Sequence, residues 1–464
     1  MSQILSSPSA GVQKGFRPLS GQQPFHLALI RRNEEAFMDN RRKIAILCHT
    51  SAGGSGVVAT ELAIALAGLG HQVHIVATER PFRLTDDRMA IAGDHAPALV
   101  RDLGENPKGW GHWLKKSRES VLGWLARTGR KSGQGTLHFH QITGADYPLF
   151  KEPMTILTAS NALAQVVERH GVEIVHAHYA IPHATSALMA RSMGLPIKVV
   201  TTLHGTDVTL LGLEPAFAHT TKHAVQESDA VTAVSRSLEQ DTRRNLGIER
   251  PIHVVHNWVD TERFRPNPDP ANRLKYAQPE EAILLHVSNF RPVKRPQDVI
   301  RVFSAVARER PARLLMIGDG PARRECQELA LELDLAGRVQ FIDFTPAVER
   351  FMAVADVFLL PSEEESFGLV ALEAMSCGVP VVASRAGGLP EVVVEGESGH
   401  LCPVGHTEAM AEAVLGILAD PRRRAEMGRA ARERAVQNFR PEHILPRYLE
   451  VYQSALEGEE IVWA

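Results

Sequence analysis

The sequence predicts an α/β protein built as two Rossmann-like halves that face one another across a cleft, with a final helix crossing back. Three observations lead there. Short apolar runs alternate with amphipathic helical stretches along most of the chain, the pattern of parallel strands covered by helices. The alternation breaks at 257–278, a passage rich in Asn, Pro and charge, and then restarts. Glycine turns join strands to helices in both parts, as in Gly53-Gly54-Ser55-Gly56 and Gly318-Asp319-Gly320-Pro321.

In chain order, strands are expected at 43–48, 73–77, 137–141, 174–177, 197–202, 230–233 and 253–256, with helices at 55–69, 157–170, 183–193, 219–227 and 235–246. After the break, strands are expected at 283–288, 314–317, 339–342, 357–360 and 381–383, with helices between them. Segments 406–418 and 422–438 read as helices, and 444–456 as a last helix packed across a domain face. The domains implied are 43–258, 259–438 and a returning segment 439–464. Residues 1–42, rich in Ser, Gln, Pro and Arg, read as a disordered leader or a mis-called start, with Met38 just ahead of the first strand. Residues 84–135 read as an insertion. Its Trp110, Trp113 and Trp124 and the run Lys115-Lys116-Ser117-Arg118 suit a small helix covering the sheet edge, or alternatively a lid, membrane contact or partner surface.

Bulk properties narrow the class. A chain of 464 residues, 44% hydrophobic and 23% charged, is a soluble globular protein of two or three domains. A net charge of −3 argues against a general nucleic-acid or membrane-surface binder. No apolar run approaches the ~20 residues of a membrane span. Cys48, Cys326, Cys377 and Cys402 are scattered without a C-x-x-C pair and read as thiols of a reducing cytoplasm.

Chemistry concentrates where strands end. Residues 356–361 form a strand closed by Pro361, and a loop of carboxylates follows before a helix opened by Gly368. Glu365 sits ahead of that helix and Glu373 inside it. Ionised carboxylates accept paired hydrogen bonds from the hydroxyls of a sugar or ribose. The N–H groups of Phe367 and Gly368 suit a diphosphate. Together they suggest a site for an activated sugar nucleotide; the plain alternative is an acidic loop before a core helix.

Gly54 and Ser55, opening the first helix, would let backbone approach a ligand. Read as Gly54-x-Gly56-x-x-Ala59 with Glu79 further on, this turn also fits a dinucleotide fingerprint, or merely a tight strand–helix turn. In Thr201-Thr202-Leu203-His204-Gly205-Thr206-Asp207, His204 suits a sugar hydroxyl and Thr202 a carboxylate. His176, His178 and His183 invite a metal reading. No Cys or carboxylate completes a ligand set, so no metal is expected, and Tyr179 is the better cleft candidate. In Ser288-Asn289-Phe290-Arg291-Pro292-Val293-Lys294-Arg295, Lys294 is the main cation for a leaving phosphate, with Arg291 or Arg295 in support. Gly318–Pro321 suggests close backbone approach near a nucleotide. The turn Gly387-Gly388-Leu389-Pro390-Glu391 reads as structural.

These motifs together resemble the retaining GT-B glycosyltransferases of the glycogen-synthase-like family, family 4. The resemblance runs from Lys43 to the C-terminus. The stretches at 176–183, 201–207, 233–235 and 288–291 are similar to the branch that makes GlcNAc-malate, the first step of bacillithiol biosynthesis. That resemblance implies a cytoplasmic enzyme moving GlcNAc from UDP-GlcNAc to the hydroxyl of L-malate, with retention and without a metal or other cofactor. By position, it implies that Glu365 holds donor sugar hydroxyls and Glu373 the ribose. Ser366, Phe367 and Gly368 would also face the donor, with Phe367 and Gly368 offering backbone donors. Gly54 and Ser55 would approach the pyrophosphate and acceptor, His204 the donor sugar, and Lys294 the diphosphate, with Arg291 and Asn289 also on the donor side. Tyr179 and Thr202 would line the malate pocket, and Arg83 is a candidate for a malate carboxylate. The family usually carries arginine five residues before the lysine. Here Asn289 stands there, which removes one cation and places an amide where it could reach the acceptor. The insertion and the leader are longer than the family pattern.

The rival readings are a related transferase with an inositol phosphate, lipid or polysaccharide acceptor, an NAD-linked oxidoreductase, and a sugar-nucleotide sensor without turnover. The composition is compatible with a homo-oligomer and with no stable membrane insertion.

Overall fold

The apolar runs assemble into two sheets in which every pairing is parallel. The computed structural model describes residues 41–50, 53–81, 84, 135–143, 154–267, 269–459 and 461. The leader, apart from Arg41 and Arg42, and the insertion, apart from Leu84 and Gly135, lie outside the described residues. The first sheet holds β1 (Lys43–Leu47), β2 (Gln72–Ala77), β3 (Thr136–Gln141), β4 (Ile174–His178), β5 (Lys198–Leu203), β6 (Ala230–Ala233) and β7 (His253–Val254), in the order 3-2-1-4-5-6-7. The second holds β8 (Ala282–Val287), β9 (Ala312–Ile317), β10 (Val339–Ile342), β11 (Val357–Leu360), β12 (Val381–Ser384) and β13 (Gly399–Cys402), in the order 10-9-8-11-12-13. Central strands are buried on both faces, so they read as unbroken apolar runs: Ile44 to Leu47 are all 0% exposed.

The helices covering the first sheet are α1 (Gly54–Gly68), α2 (Thr155–His170), α3 (Thr185–Ser192), α4 (Ala218–Glu227) and α5 (Arg236–Leu246). The longer helices of the second half are α6 (Pro296–Glu309), α7 (Arg323–Glu332), α8 (Leu369–Ser376), α9 (Thr407–Ala419) and α10 (Pro421–Asn438), and α11 (Pro441–Glu457) follows them. Local chemistry sets their ends. The Ser235 hydroxyl accepts from Leu238 N–H and starts α5, and Gly247 in the left-handed region stops it. Three expectations shift. The helix expected from 183 is preceded by a π-turn at Ala180–Ala184. The strand expected at 253–256 is only His253–Val254. β13 was not expected from its short, glycine-led sequence; Gly399 fits because a Cβ there would sit 2.1 Å from the Val381 carbonyl oxygen.

Helix α11 returns to the first sheet, as the apolar spacing of its sequence implied. Tyr448, Leu449 and Tyr452 are fully buried against Ile44, Ile46 and Val200, in one core with α1. Each such side chain contributes roughly 1.5–3 kcal/mol by burial. The chain thus passes between the halves twice, and the two passages touch: Val259 N–H donates to the Phe439 carbonyl at 2.9 Å. Among the described residues, no helix is long and apolar enough to cross a membrane.

Candidate active site

In both sheets the strand order reverses at a central pair, β1/β4 and β8/β11. Ligands of open parallel sheets bind outside the carboxyl ends of strands at such switch points. The segments singled out by sequence emerge there: Gly53–Ser55 after β1, Tyr179 after β4, Asn289–Lys294 after β8 and Glu363–Gly368 after β11. Between them lies an open cavity of about 930 Å³. Its first wall carries Gly54, Ser55, Tyr179 and His204, and its second Asn289, Arg291, Lys294, Glu365, Ser366, Phe367 and Gly368. An adjoining space of about 450 Å³ shares Gly54, Asn289, Lys294 and Glu365 and extends to Gly318, Asp319 and Glu373.

Two loops hold the second wall. Lys294 Nζ donates to Glu365 Oε2 at 2.6 Å, joining them. Beneath, the Ser288 hydroxyl accepts from Phe290 N–H at 3.2 Å and lies 2.8 Å from His286 Nε2, fixing the turn that presents Asn289. Burial pushes the His286 imidazole down to about 4, and the charge of Lys294 acts the same way, so the ring is neutral at pH 7. Glycines let other loops press on these. A Cβ at Gly320 would sit 1.9 Å from the Asn289 carbonyl oxygen, and one at Gly387 2.1 Å from that of Glu365. The Gly387-Gly388 turn is therefore a buttress for the acidic loop. The Phe367 ring packs on His256 and Phe439, with centroids 5.7 and 5.8 Å away, leaving its backbone to the cavity side. Glu373 is 5% exposed, one turn into α8.

The first wall rests on Asp207. This carboxylate is fully buried and accepts from Ala180 N–H (3.0 Å), His204 N–H (3.2 Å) and Gly205 N–H (3.0 Å). It ties the turn after β4 to the turn after β5. Burial raises its pKa to about 6 against the pull of those amides. Tyr179 above it adopts φ 90°, a conformation costly for a non-glycine residue and held here by the turn. Its ring lies 5.1 Å from that of His204 and 5.6 Å from that of His49. Burial raises the Tyr179 phenol, which therefore stays protonated. Burial, then His183, pushes His204 down to about 3, so it offers a neutral ring, with Nε2 2.9 Å from His178 Nδ1.

The walls meet directly. Glu391 of the second half accepts from Arg236 N–H and Ser237 N–H at the start of α5, at 3.0 and 2.9 Å, and lies 2.9 Å from His256 Nε2. A Cβ at Gly205, φ 112°, would sit 1.8 Å from the Ser366 hydroxyl oxygen.

Not every candidate reaches the cavity. Thr202 is 0% exposed within the sheet, its hydroxyl 2.7 Å from His176 Nε2 and 2.6 Å from the Thr232 hydroxyl. Strand β5 runs to Leu203, which leaves Thr202 short of the strand end. His176 in turn bonds Tyr452, Nδ1 to hydroxyl 2.7 Å, which makes it a docking residue for α11. Arg295 turns away to Asp298 at 2.6 Å. Arg83 lies outside the described residues. Other cavity residues were not anticipated. Ser237, Asp241, Arg244 and Asn245 line it from α5, and Arg385 from the loop after β12. The signal for the first four was a polar stripe at helical spacing, which by itself reads as a solvated face.

Comparison with known proteins agrees with this geometry. Residues 52–263 match the family described as Glycosyltransferase Family 4, and residues 270–434 match Glycosyl transferases group 1. The chain is 36% identical over 420 residues to N-acetyl-alpha-D-glucosaminyl L-malate synthase of Bacillus anthracis, covering 90% of this chain and 98% of the relative. It is 31% identical over 423 residues to D-inositol 3-phosphate glycosyltransferase 2 of Catenulispora acidiphila, covering 85% and 91%. Among solved structures, a sucrose-phosphate synthase of Thermosynechococcus elongatus has the same fold, with a TM-score of 0.70 at 22% identity over 90% of this chain and all of that one. So does the Anabaena protein HepE in complex with UDP, with a TM-score of 0.65 at 18% identity over 89% of this chain and all of that one. Two parallel sheets meeting at paired switch points, both family matches and a relative covered over 98% of its length all agree: the chain is a glycosyltransferase enzyme and belongs to the GT-B glycosyltransferases of family 4.

Proposed function

We propose that this enzyme transfers GlcNAc from UDP-GlcNAc to the hydroxyl of L-malate with retention of the α configuration, the first step of bacillithiol biosynthesis. The observation that carries the reading is the second wall: Lys294 is paired with Glu365 and shares the cavity lining with Arg291, while the buried Glu373 lines the adjoining space. In the donor complex Lys294 and Arg291 face the diphosphate, Glu365 the sugar hydroxyls and Glu373 the ribose. The backbone N–H groups of Phe367 and Gly368, ahead of α8, face the phosphates. Across the cavity, Ser55, Tyr179 and the amide of Asn289 receive the acceptor, and His204 meets the donor sugar.

The bond from the anomeric carbon to phosphate oxygen breaks while the bond to the malate oxygen forms on the same face. The malate hydroxyl proton passes to the leaving phosphate oxygen, so no protein base or nucleophile is required. The positive charge that stabilises the leaving group comes from side chains, and turnover is expected to be independent of added Mg²⁺. Approach of the two halves excludes water, which would otherwise hydrolyse the donor.

The similarity to the malate synthase of Bacillus anthracis supports this acceptor, as does asparagine at 289. Relatives named for inositol 3-phosphate make that acceptor the second reading. Mass spectrometry of the product from UDP-GlcNAc with L-malate, and separately with inositol 3-phosphate, decides. GlcNAc-malate is expected; product with inositol 3-phosphate alone overturns the malate assignment.

A further inference from the structure

Away from the cleft, four histidines converge on one face of the first sheet. His74 lies on β2, His138 and His140 on β3, and His170 ends α2. The parallel register sets His74 beside His138 and Val76 beside His140. Leu137 and Phe139 turn to the core shared with α1, so alternation sends His138 and His140 to the opposite face with His74. Gly171, φ 65°, stops α2 directly after His170, whose ring lies 4.4 Å from that of His74.

His74 Nδ1 is 2.8 Å from His140 Nε2. One ring nitrogen from each of His74, His140 and His170 lies within 4.8 Å of the other two. The ring of His138 stacks on that of His74 at 4.9 Å and 18°. His74 is 0% exposed, and its Nε2 is buried without a hydrogen-bond partner. Imidazoles stacked this closely cannot all be charged. Burial and the neighbouring rings push His140 down to about 4, and the charged groups acting on the cluster are the cations Lys43 and Arg169. The rings are therefore neutral at pH 7, and each keeps one unprotonated nitrogen that a metal ion can take. Neutral imidazole is the standard ligand of borderline metal ions.

We propose that His74, His140 and His170 form a binding site for one divalent transition-metal ion of the zinc class, with remaining positions open to water. Hard cations such as Mg²⁺ are excluded by the all-nitrogen donor set. Lys43 and Arg169 oppose any cation, so affinity rests on the nitrogen donors and follows the preference for imidazole. None of these histidines lines the cleft cavity. The ion would instead join β2, the edge strand β3 and the end of α2, making its role one of stability rather than of sugar transfer.

The test uses untagged full-length protein, stripped with chelator and dialysed. Titration with Co²⁺, followed by visible absorption and reversed by Zn²⁺, is expected to show one equivalent bound, and Zn²⁺ is expected to raise the thermal midpoint. In the double variant His140→Ala/His170→Ala, both responses should vanish. The single variant His170→Ala, changed only at the helix end, should fold as the parent and bind at least about tenfold more weakly. Absence of stoichiometric binding by the parent, or binding by His170→Ala equal to the parent, overturns the proposal.

Discussion

The ammonium of Lys294 and the carboxylate of Glu365 form an ion pair, Nζ to Oε2 2.6 Å, between the loops that follow β8 and β11. Both groups border the cavity and both are partly desolvated. In the proposed donor complex each takes a new partner, the lysine a phosphate and the glutamate a sugar hydroxyl. The pair thus holds both side chains in reach before the donor arrives. Glu365→Ala and Lys294→Ala should each lower kcat by about 10²–10³. Circular dichroism should be unchanged. Turnover of either variant within threefold of the parent would contradict these roles.

The contact between Gly205 and Ser366 gives a steric prediction. Gly205→Ala puts a methyl group 1.8 Å from the Ser366 hydroxyl oxygen, at a backbone angle that non-glycine residues rarely adopt. The variant should turn over at least about tenfold more slowly, because the walls can no longer approach. Adding Ser366→Gly removes the clash but not the backbone strain, so partial recovery is expected. Rates for the pair of variants report this directly.

Asp207 makes stability depend on pH with a defined sign. Its folded pKa, about 6, lies above the ordinary 3.8, so the folded chain binds the extra proton. The contribution to stability is fully present below the unfolded value and is lost as pH rises through about 6. Asp207→Asn lacks this titration, and its urea midpoint should fall less steeply with pH over that window. The amide also sets an N–H₂ group against one of the donors now bonded to the carboxylate, costing about 1–3 kcal/mol. A parent and variant with parallel pH profiles would contradict the assignment.

Removal of one hydroxyl tests the docking of α11. Tyr452→Phe leaves His176 Nδ1 buried without the phenol that now lies 2.7 Å away. A loss of about 1–3 kcal/mol in chemical denaturation is expected. Because Thr202 bonds the other nitrogen of that imidazole, Thr202→Val should act on stability in the same way and leave the KM for acceptor unchanged. A selective rise in acceptor KM would return Thr202 to the cavity wall.

How much of this was readable beforehand depends on whether the signal was local. Glu365, Gly368 and Glu373 could be placed because strand, loop and helix follow within one short stretch. Gly54 and Lys294 were readable for the same reason, each lying just past an apolar strand. Thr202 was placed at a strand end because residues 197–202 end the apolar run. Its real surroundings, His176 and Thr232, come from neighbouring strands, and such lateral register is invisible in the local sequence. Likewise the polar stripe of α5 resembles any solvated helix until the second half stands opposite. The histidines of β3 alternate visibly, yet only the fold brings His74 and His170 to them.

The hydrogen bond from Val259 to Phe439 places both strands of the waist side by side. Two connections lying side by side share one line, about which the halves can open and shut like a book on its spine. Helix α11 lies beyond the second connection and is packed on the first sheet, so it stays with that half as the cleft opens. A crosslink across the mouth should arrest that opening and, with it, turnover.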